Sequence, residues 1–432
     1  MHRRQVAVVG AGVAGLTAAY VLQRDCEVSL YEADDRLGGH AHTHEVAGRD
    51  GRPLLVDSGF IVHNARTYPT LLRLFTELGV ATQDAEMSMS VRCEGCGLEY
   101  AGARGPAGLF ARPGSLLRGR YLRMLAEVPR FHRQARAVLA ADDGRVARTG
   151  GAAGGTGPVT LGDFLAARGY SPYFVMHFAL PLVSAVWSCP PRTALRYPAV
   201  YLFRFLAHHG LLSVSGSPAW RTVTGGSVEY VRRIGKQLTA VRTAAPVRSV
   251  RRGSDRADVT GEDGVTTTYD AVVLATHPDQ ALRLLADATA GEHDVLGAFR
   301  YSRNETLLHT DASLLPRARG ARASWNYLLP SCADPAGEVR VSYHMNRLQR
   351  LDADEDYVVT LNPAGRVAAD RVVARMVYEH PVYEPRSVAA QHRLPALSTA
   401  VTAYAGAYHG WGFHEDGCRS GVAAAAALGV RW

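Results

Sequence analysis

Val6-Ala7-Val8-Val9-Gly10-Ala11-Gly12-Val13-Ala14-Gly15 is the stretch whose reading decides the fold. A short apolar run ends in G-x-G-x-x-G, and the helix-compatible Leu16-Thr17-Ala18-Ala19-Tyr20-Val21-Leu22 follows. A second apolar run, Val28-Ser29-Leu30-Tyr31, ends at Glu32, about twenty residues on. Strand, glycine turn, helix, strand and acid spell a dinucleotide-binding βαβ unit. Gly10 permits the tight turn, Gly12 lets a diphosphate approach the backbone, and Gly15 lets helix and strand pack closely. The helix N-terminus offers unpaired N–H groups to phosphate, and Glu32 is placed to accept from a ribose diol.

The residues after Glu32 choose between dinucleotides. Ala33-Asp34-Asp35-Arg36-Leu37-Gly38-Gly39-His40 resembles the second half of the FAD fingerprint of amine oxidases and phytoene desaturases. In that reading the Gly38-Gly39 backbone passes close to the diphosphate and Arg36 supplies a forked positive donor. A domain that binds only NAD has no need of this extension. A third mark lies at the other end. Ala405 to Gly417, with Tyr408, His409, Trp411 and Phe413, runs into Ser420-Gly421-Val422 and an alanine-rich, helix-compatible end. In similar flavoproteins such a loop leads into a final helix whose N-terminus faces the flavin pyrimidine, where reduced flavin carries negative charge. Tyr408, Trp411 and Phe413 either wall the ring or pack the domain. Weaker marks are the strand-like Val247-Arg248-Ser249-Val250, after Gly225-Gly226-Ser227 and a helix-like Val228 to Leu238, and the buried strand Asp270 to Thr276. The resemblance implies FAD held by Gly10, Gly12, Ala14, Gly15, Glu32, Ala33, Arg36, Gly38, Gly39, His40, Val247, Ala275, Thr276, Gly406, Gly412, Phe413, His414 and Glu415.

The chain has 432 residues, 47% of them apolar and 20% charged, which fits a globular enzyme of two domains. No apolar run reaches the roughly 18 residues a membrane span needs. His2-Arg3-Arg4 before an apolar stretch imitates a secretory signal, but cleavage there would destroy the glycine fingerprint. The expectation is a cytoplasmic protein. Of six cysteines only Cys93 and Cys96 form C-x-x-C, and no matching pair of further ligands is evident in the sequence. The expectation is therefore no metal, with reduced thiols on a turn, a dithiol redox pair being the alternative. Cys418, near the late loop, raises covalent flavin attachment as a remote option.

The net charge is +8, and Lys236 is the single lysine. Seven arginines from Arg112 to Arg136 interleave with Leu116, Leu117, Tyr121, Leu122, Leu125, Val128 and Phe131. That basic amphipathic segment suits an anionic membrane surface, or equally a helix packed on the core with a solvated arginine face. No nucleic-acid motif accompanies the charge.

Because flavin marks occur at start, middle and end, the expected fold class is α/β. A Rossmann-like FAD-binding domain of the glutathione reductase/amine oxidase type is assembled from 1–85, 222–290 and 395–432. An inserted α+β substrate domain takes 86–221 and 291–394, the latter richer in strands. Gly151 to Gly157 reads as a flexible loop.

The chain further resembles flavoproteins of the amine oxidase/phytoene desaturase superfamily that accompany bacterial cyclopropane-fatty-acid synthases and form the N-terminal half of plant ones. The matching stretches include Gly38 to Ala41, Asp57 to Asn64 with Tyr68-Pro69, and Met87 to Val91. They continue through Ala185 to Pro190, Asn346 to Gln349, Val359 to Pro363 and Gly406 to Gly417. The resemblance implies a lipid acyl chain as substrate, dehydrogenated by hydride transfer to the flavin, with a cyclopropane-fatty-acid-synthase-like methyltransferase as partner. Phe174, Phe178, Trp187 and Phe205 line an apolar channel or form plain core. The catalytic candidates are His63 and His409 as proton acceptors, with Trp187 beside them. Rival readings are amine oxidation, which Lys236 is poorly placed to serve, redox-neutral lipid isomerisation, and a non-catalytic lipid-presenting scaffold.

Overall fold

The computed structural model describes residues 3–48, 51–149, 158–213, 216–332 and 337–432; the Gly151 to Gly157 stretch lies outside them. Five parallel strands form the first sheet, in the order Ala240–Arg242, Cys26–Tyr31, Arg4–Val9, Ala271–Leu274 and Thr402–Tyr404. The central strand Arg4–Val9 is buried from Val6 onward, as parallel strands covered on both faces are. Helix Val13–Leu22 is apolar around nearly its whole circumference because it is packed on two sides. One side lies on the sheet. The other meets the terminal helix His414–Ala427 through glycine. A Cβ on Gly421 would stand 2.4 Å from the Ala14 carbonyl oxygen, and one on Gly417 would stand 2.6 Å from Val13 Cγ1. Ala14, expected at the cofactor, therefore also serves this helix contact.

The strand Val247–Arg252 is not part of the parallel sheet. It pairs antiparallel with Ala257–Gly261, which pairs with Thr266–Tyr269. The Ala244 and Ala245 N–H groups bond the Asp34 and Glu32 carbonyls, and that brings the approach to Val247 beside the acid of the fingerprint.

A seven-stranded mixed sheet makes the second core, in the order Val372–Val382, Arg300–His309, Val358–Leu361, Val341–His344, Trp325–Leu329, Met89–Cys93 and Glu99–Ala101. Two strands come from the first long insertion and five from the second. Helices Gly119–Thr149, Leu161–Ala167, Leu180–Trp187 and Ala199–His208 pack with it around Phe131, Phe164, Phe174 and Phe203, all buried. Phe174 and Phe178 are thus core, Phe178 lying 5.1 Å from Phe174 and 6.2 Å from Phe131 between ring centres. The amphipathic segment becomes the long helix from Gly119, with Tyr121, Met124 and Phe131 inward. Among the described residues no helix is long and apolar enough to cross a membrane.

Candidate functional site

The two glycine turns meet. Gly12 and Gly38 form a parallel bridge, the Gly38 N–H bonds the Ala11 carbonyl at 2.9 Å, and a Cβ on Gly39 would lie 3.2 Å from Gly12 Cα. Gly10 (φ +100°) and Gly15 are closed in: added Cβ atoms would stand 2.8 Å from the Ala275 oxygen and 1.8 Å from the Gly10 oxygen. Ala275 and Thr276 thus wall the turn. Gly12 is the exception, since a Cβ there meets nothing within 4 Å. The helix behind it has no side-chain cap and no acid in its first turn. Open space over uncapped N–H groups is what a diphosphate requires, so the residues fit a dinucleotide.

Glu32 accepts from the Ala11 N–H (2.7 Å) and the Asp34 N–H (3.0 Å), which fixes its carboxylate at the turn; Ala33 beside it is exposed. Arg36 behaves differently from the expected phosphate fork. Its Nη1 donates to the Gly39 carbonyl at 2.9 Å and so braces the second turn. Burial pushes the His40 ring well below the usual imidazole range, with the nearby His380, His277, His414 and Arg36 adding to the effect. His40 lies 4.9 Å from the Tyr378 ring and 5.4 Å from His380. Asn304 Nδ2 is 3.0 Å from His380 Nδ1, and His277 stacks on Tyr301 at 4.0 Å. Sequence reading named His40 of this group but neither His277, which directly follows the Ala275-Thr276 turn, nor His380, which arrives on the distant strand Val372–Val382.

The late loop is the second half of the site. The Gly406 N–H bonds Ser420 Oγ at 2.8 Å. Gly412 has φ +93° and faces Pro381 and Tyr383 so closely that no side chain fits. Three donors from other elements hold the loop carbonyls. Trp187 Nε1 reaches the Trp411 oxygen at 3.1 Å, Tyr201 Oη the Gly410 oxygen at 2.7 Å, and Gln391 Nε2 the Tyr408 and Gly410 oxygens at 2.8 and 2.6 Å. From within the loop, Asp416 accepts from the Trp411 and Phe413 N–H groups at 3.0 and 3.1 Å. Burial raises its carboxyl to about 6, against the pull of Arg419 and these donors. Phe413 stacks on Phe205 at 4.8 Å, and His414 stacks on Phe60 at 3.7 Å.

Glu415 is committed elsewhere. Its two carboxylate oxygens accept from the Thr70 and Leu71 N–H groups (3.0 and 2.9 Å), at the N-terminus of helix Pro69–Leu78. Cys418 is buried against Thr17, 3.5 Å away, and burial pushes its thiol up to about 12. It lies at the contact of two helices rather than on the loop surface.

The three catalytic candidates gather around this loop. His63 is buried among Phe60, Tyr68 and Phe75, and burial with Arg221 lowers it to about 4. His409 is lowered to about 4 by burial and Arg419. Among the described residues, both His63 nitrogens, His40 Nε2, His409 Nε2 and Tyr408 Oη are buried without a hydrogen-bond partner. Buried polar atoms are seldom left so in a finished site, and a bound cofactor or ordered water would pair these. Trp187 meets the loop through its hydrogen bond to the Trp411 carbonyl. Lys236 is exposed at the end of helix Val228–Gly235.

Asp57 joins three segments distant in sequence. It accepts from Ser227 N–H and Oγ, Thr43 Oγ1 and Gln349 Nε2 at distances from 2.5 to 3.0 Å. Burial lifts it to about 6 against those donors. Gly226 (φ +83°) permits the contact, since its Cβ would stand 2.7 Å from Thr43 Cγ2. A cavity of about 140 Å³ opens beside the loop, lined by Tyr68, His208, His209, Trp411, Phe413 and Asp416 among others.

Comparison with known proteins agrees with this cradle. The chain is 30% identical over 293 residues to a carotenoid phi-ring synthase of Streptomyces griseus, a match covering 65% of this chain and 54% of that protein. The chain spans about half the length of the curated relatives it matches. Its fold is that of putrescine oxidase with putrescine bound, at TM-score 0.67 and 18% identity, over 98% of both chains. It is likewise that of the CLA-producing fatty acid isomerase from P. acnes, at TM-score 0.64 and 14% identity, over 97% of both chains. The profile of the flavin containing amine oxidoreductase family matches residues 13–304. With the glycine cradle built as described, the chain belongs to that family, and the cradle is one that fits FAD.

Proposed function

We propose that the chain dehydrogenates the acyl chain of a methyl-branched or cyclopropane-related phospholipid at an anionic membrane face, alongside a cyclopropane-fatty-acid-synthase-like methyltransferase. One observation carries this reading. Leu116, Leu117 and Leu122 are 55%, 90% and 41% exposed, and Arg120 and Arg123 stand exposed among them. An apolar tip ringed by arginine suits a lipid headgroup boundary. Arg123 also reaches Glu127 at 3.7 Å, and among the neighbouring arginines Arg112 pairs with Glu99, Arg130 lies over Tyr170, and Arg136 bonds the Leu212 carbonyl.

Bound FAD supplies a hydride acceptor. Gly12 and Gly38-Gly39 would hold its diphosphate, and Glu32 its ribose. His63 and His409, kept neutral by burial, are available to take the proton that leaves the neighbouring carbon. No lysine reaches the loop, which disfavours amine oxidation.

The test is anaerobic. Flavin bleaching by liposomes of branched or cyclopropane phospholipids, with none from a panel of amines, is the expected result. Bleaching by amines alone overturns the lipid assignment. A shifted double bond without net oxidation replaces dehydrogenation with isomerisation.

A further inference from the structure

The fold completes a ligand set that the sequence left half-built. Cys93 ends the strand Met89–Cys93, and Cys96 lies in the turn that follows. His177 comes from the helical segment 175–179, and Cys332 from beyond the strand Trp325–Leu329. Their four ligand atoms all lie within 4.8 Å of one another. Cys93 Sγ and Cys332 Sγ are 3.5 Å apart, and Cys96 Sγ is 3.6 Å from His177 Nε2. A tetrahedral ion with Zn–S bonds of about 2.3 Å places neighbouring ligand atoms about 3.8 Å apart. The Cys93–Cys332 and Cys96–His177 separations lie close to that edge, and the whole set falls within 4.8 Å.

We propose that Cys93, Cys96, His177 and Cys332 bind one Zn²⁺ as a structural Cys₃His centre. The surroundings are arranged for it. His177 Nδ1 lies 3.0 Å from the Tyr173 carbonyl, so that nitrogen carries the proton and donates, and Nε2 is left facing the sulfurs. The His177 ring stacks on Tyr173 at 3.9 Å. Pro181, four residues on, has no N–H for the His177 carbonyl, and the helix widens to a π turn there. Tyr100 Oη donates to the freed oxygen at 2.7 Å and pins His177 to the hairpin. The hairpin itself is a C-x-x-C-G knuckle, with Gly97 at φ +67°. Gly95 lets Cys332 approach, for a Cβ there would stand 3.0 Å from the Cys332 nitrogen and 3.3 Å from its sulfur. Arg118 donates to the Cys96 carbonyl at 2.8 Å. Its positive charge complements the single net negative charge of Zn²⁺ with three thiolates.

Binding forms three Zn–S bonds and one Zn–N bond, and releases the thiol protons to solvent. No oxidant is consumed. Four protein ligands close the tetrahedron, so the ion joins three distant segments rather than presenting a water for catalysis.

The test is metal analysis of flavin-loaded protein purified without chelator. The expected result is about one zinc per chain, released in step with thiol modification. Adding Co²⁺ to reduced, metal-stripped protein should produce the sulfur-to-metal charge-transfer band of a tetrahedral thiolate site. Cys96→Ser and Cys332→Ser should each lose the metal while retaining FAD. Should both variants fail to fold, the wild-type zinc and cobalt measurements decide alone. Reduced, folded wild-type protein that takes up neither ion overturns the proposal. So does a native Cys93–Cys332 disulfide, or zinc undiminished in both folded variants.

Discussion

The indole N–H of Trp187 donates to the backbone oxygen of Trp411 across 3.1 Å, joining the end of helix Leu180–Trp187 to the loop that precedes the terminal helix. Tyr201 and Gln391 bond the next carbonyls of the same loop. Trp187→Phe keeps one aromatic ring but removes the donor and part of the buried indole. The lost hydrogen bond and the cavity together should cost about 2 kcal/mol or more in denaturant unfolding, with FAD retained but its absorption band altered in shape. An unchanged spectrum and stability would show that Tyr201 and Gln391 hold the loop alone.

Gly12 and Gly15 separate binding from folding. Gly12→Ala places a methyl where the protein has nothing within 4 Å, so the unfolding midpoint of the apoprotein should be unchanged while flavin affinity falls about tenfold or more. Gly15→Ala drives a Cβ to 1.8 Å from the Gly10 oxygen, and should cost about 3 kcal/mol or more. Equal destabilisation by both would refute the assignment of Gly12 to the open face.

Glu415 caps a helix that is distant in sequence. Glu415→Ala removes the acceptor for the Thr70 and Leu71 N–H groups and should cost about 1–2 kcal/mol. Glu415→Gln, which retains one carbonyl oxygen, should cost less. Hydrogen exchange at Thr70 and Leu71 reads the effect directly.

Acid should unfold this protein early. Burial holds His63, His380 and His409 at about 4 and His414 at about 3, well below the 6.5 of an unfolded chain. Across that interval the unfolded chain binds more protons, so these groups' stabilisation is full above pH 6.5 and is lost as the pH falls. The slope is about 1.4 kcal/mol per pH unit for each such histidine. Asp57 and Asp416, raised to about 6, act in the opposite sense: their stabilisation is full below about pH 4 and is lost as the pH rises through 6. These four histidines, joined by His42 at about 3 and His132, His209 and His309 at about 4, outweigh the two carboxyls. The melting temperature is expected to drop between pH 6.5 and pH 4, and a rise over that range would contradict the balance.

Membrane contact has its own test. Leu117→Glu alters a side chain that is 90% exposed, so stability should stay within about 0.5 kcal/mol. Co-sedimentation with anionic liposomes should fall. Binding that survives this change and Leu122→Glu would remove the observation on which the lipid reading rests.

The FAD cradle was legible because its instructions are local. Gly10, Gly12, Gly15, Glu32 and Gly38-Gly39 lie within one βαβ unit and its extension, and a turn dictates its own glycines wherever it stands. The Ala275-Thr276 turn and the terminal helix were found in the same way. Partner choice was not legible. Arg36 turns to Gly39, and Glu415 turns to Thr70 and Leu71, because a side chain bonds the nearest unsatisfied group, and which group is nearest depends on packing.

The sequence by itself determined a dinucleotide turn, the choice of FAD and an α/β fold with a Rossmann-like sheet, since strand, helix and glycine signals act over a few residues. Tertiary structure alone decided the rest. It brought Gln391 and Tyr201 to one loop, set His277 and His380 beside His40, and supplied Cys93 and Cys96 with His177 and Cys332 from 81 and 239 residues away. The two missing ligands carry no spacing signal. A β-sheet pairs strands from any distance along the chain, so ligands on its strands and neighbouring helices meet only once the sheet has closed.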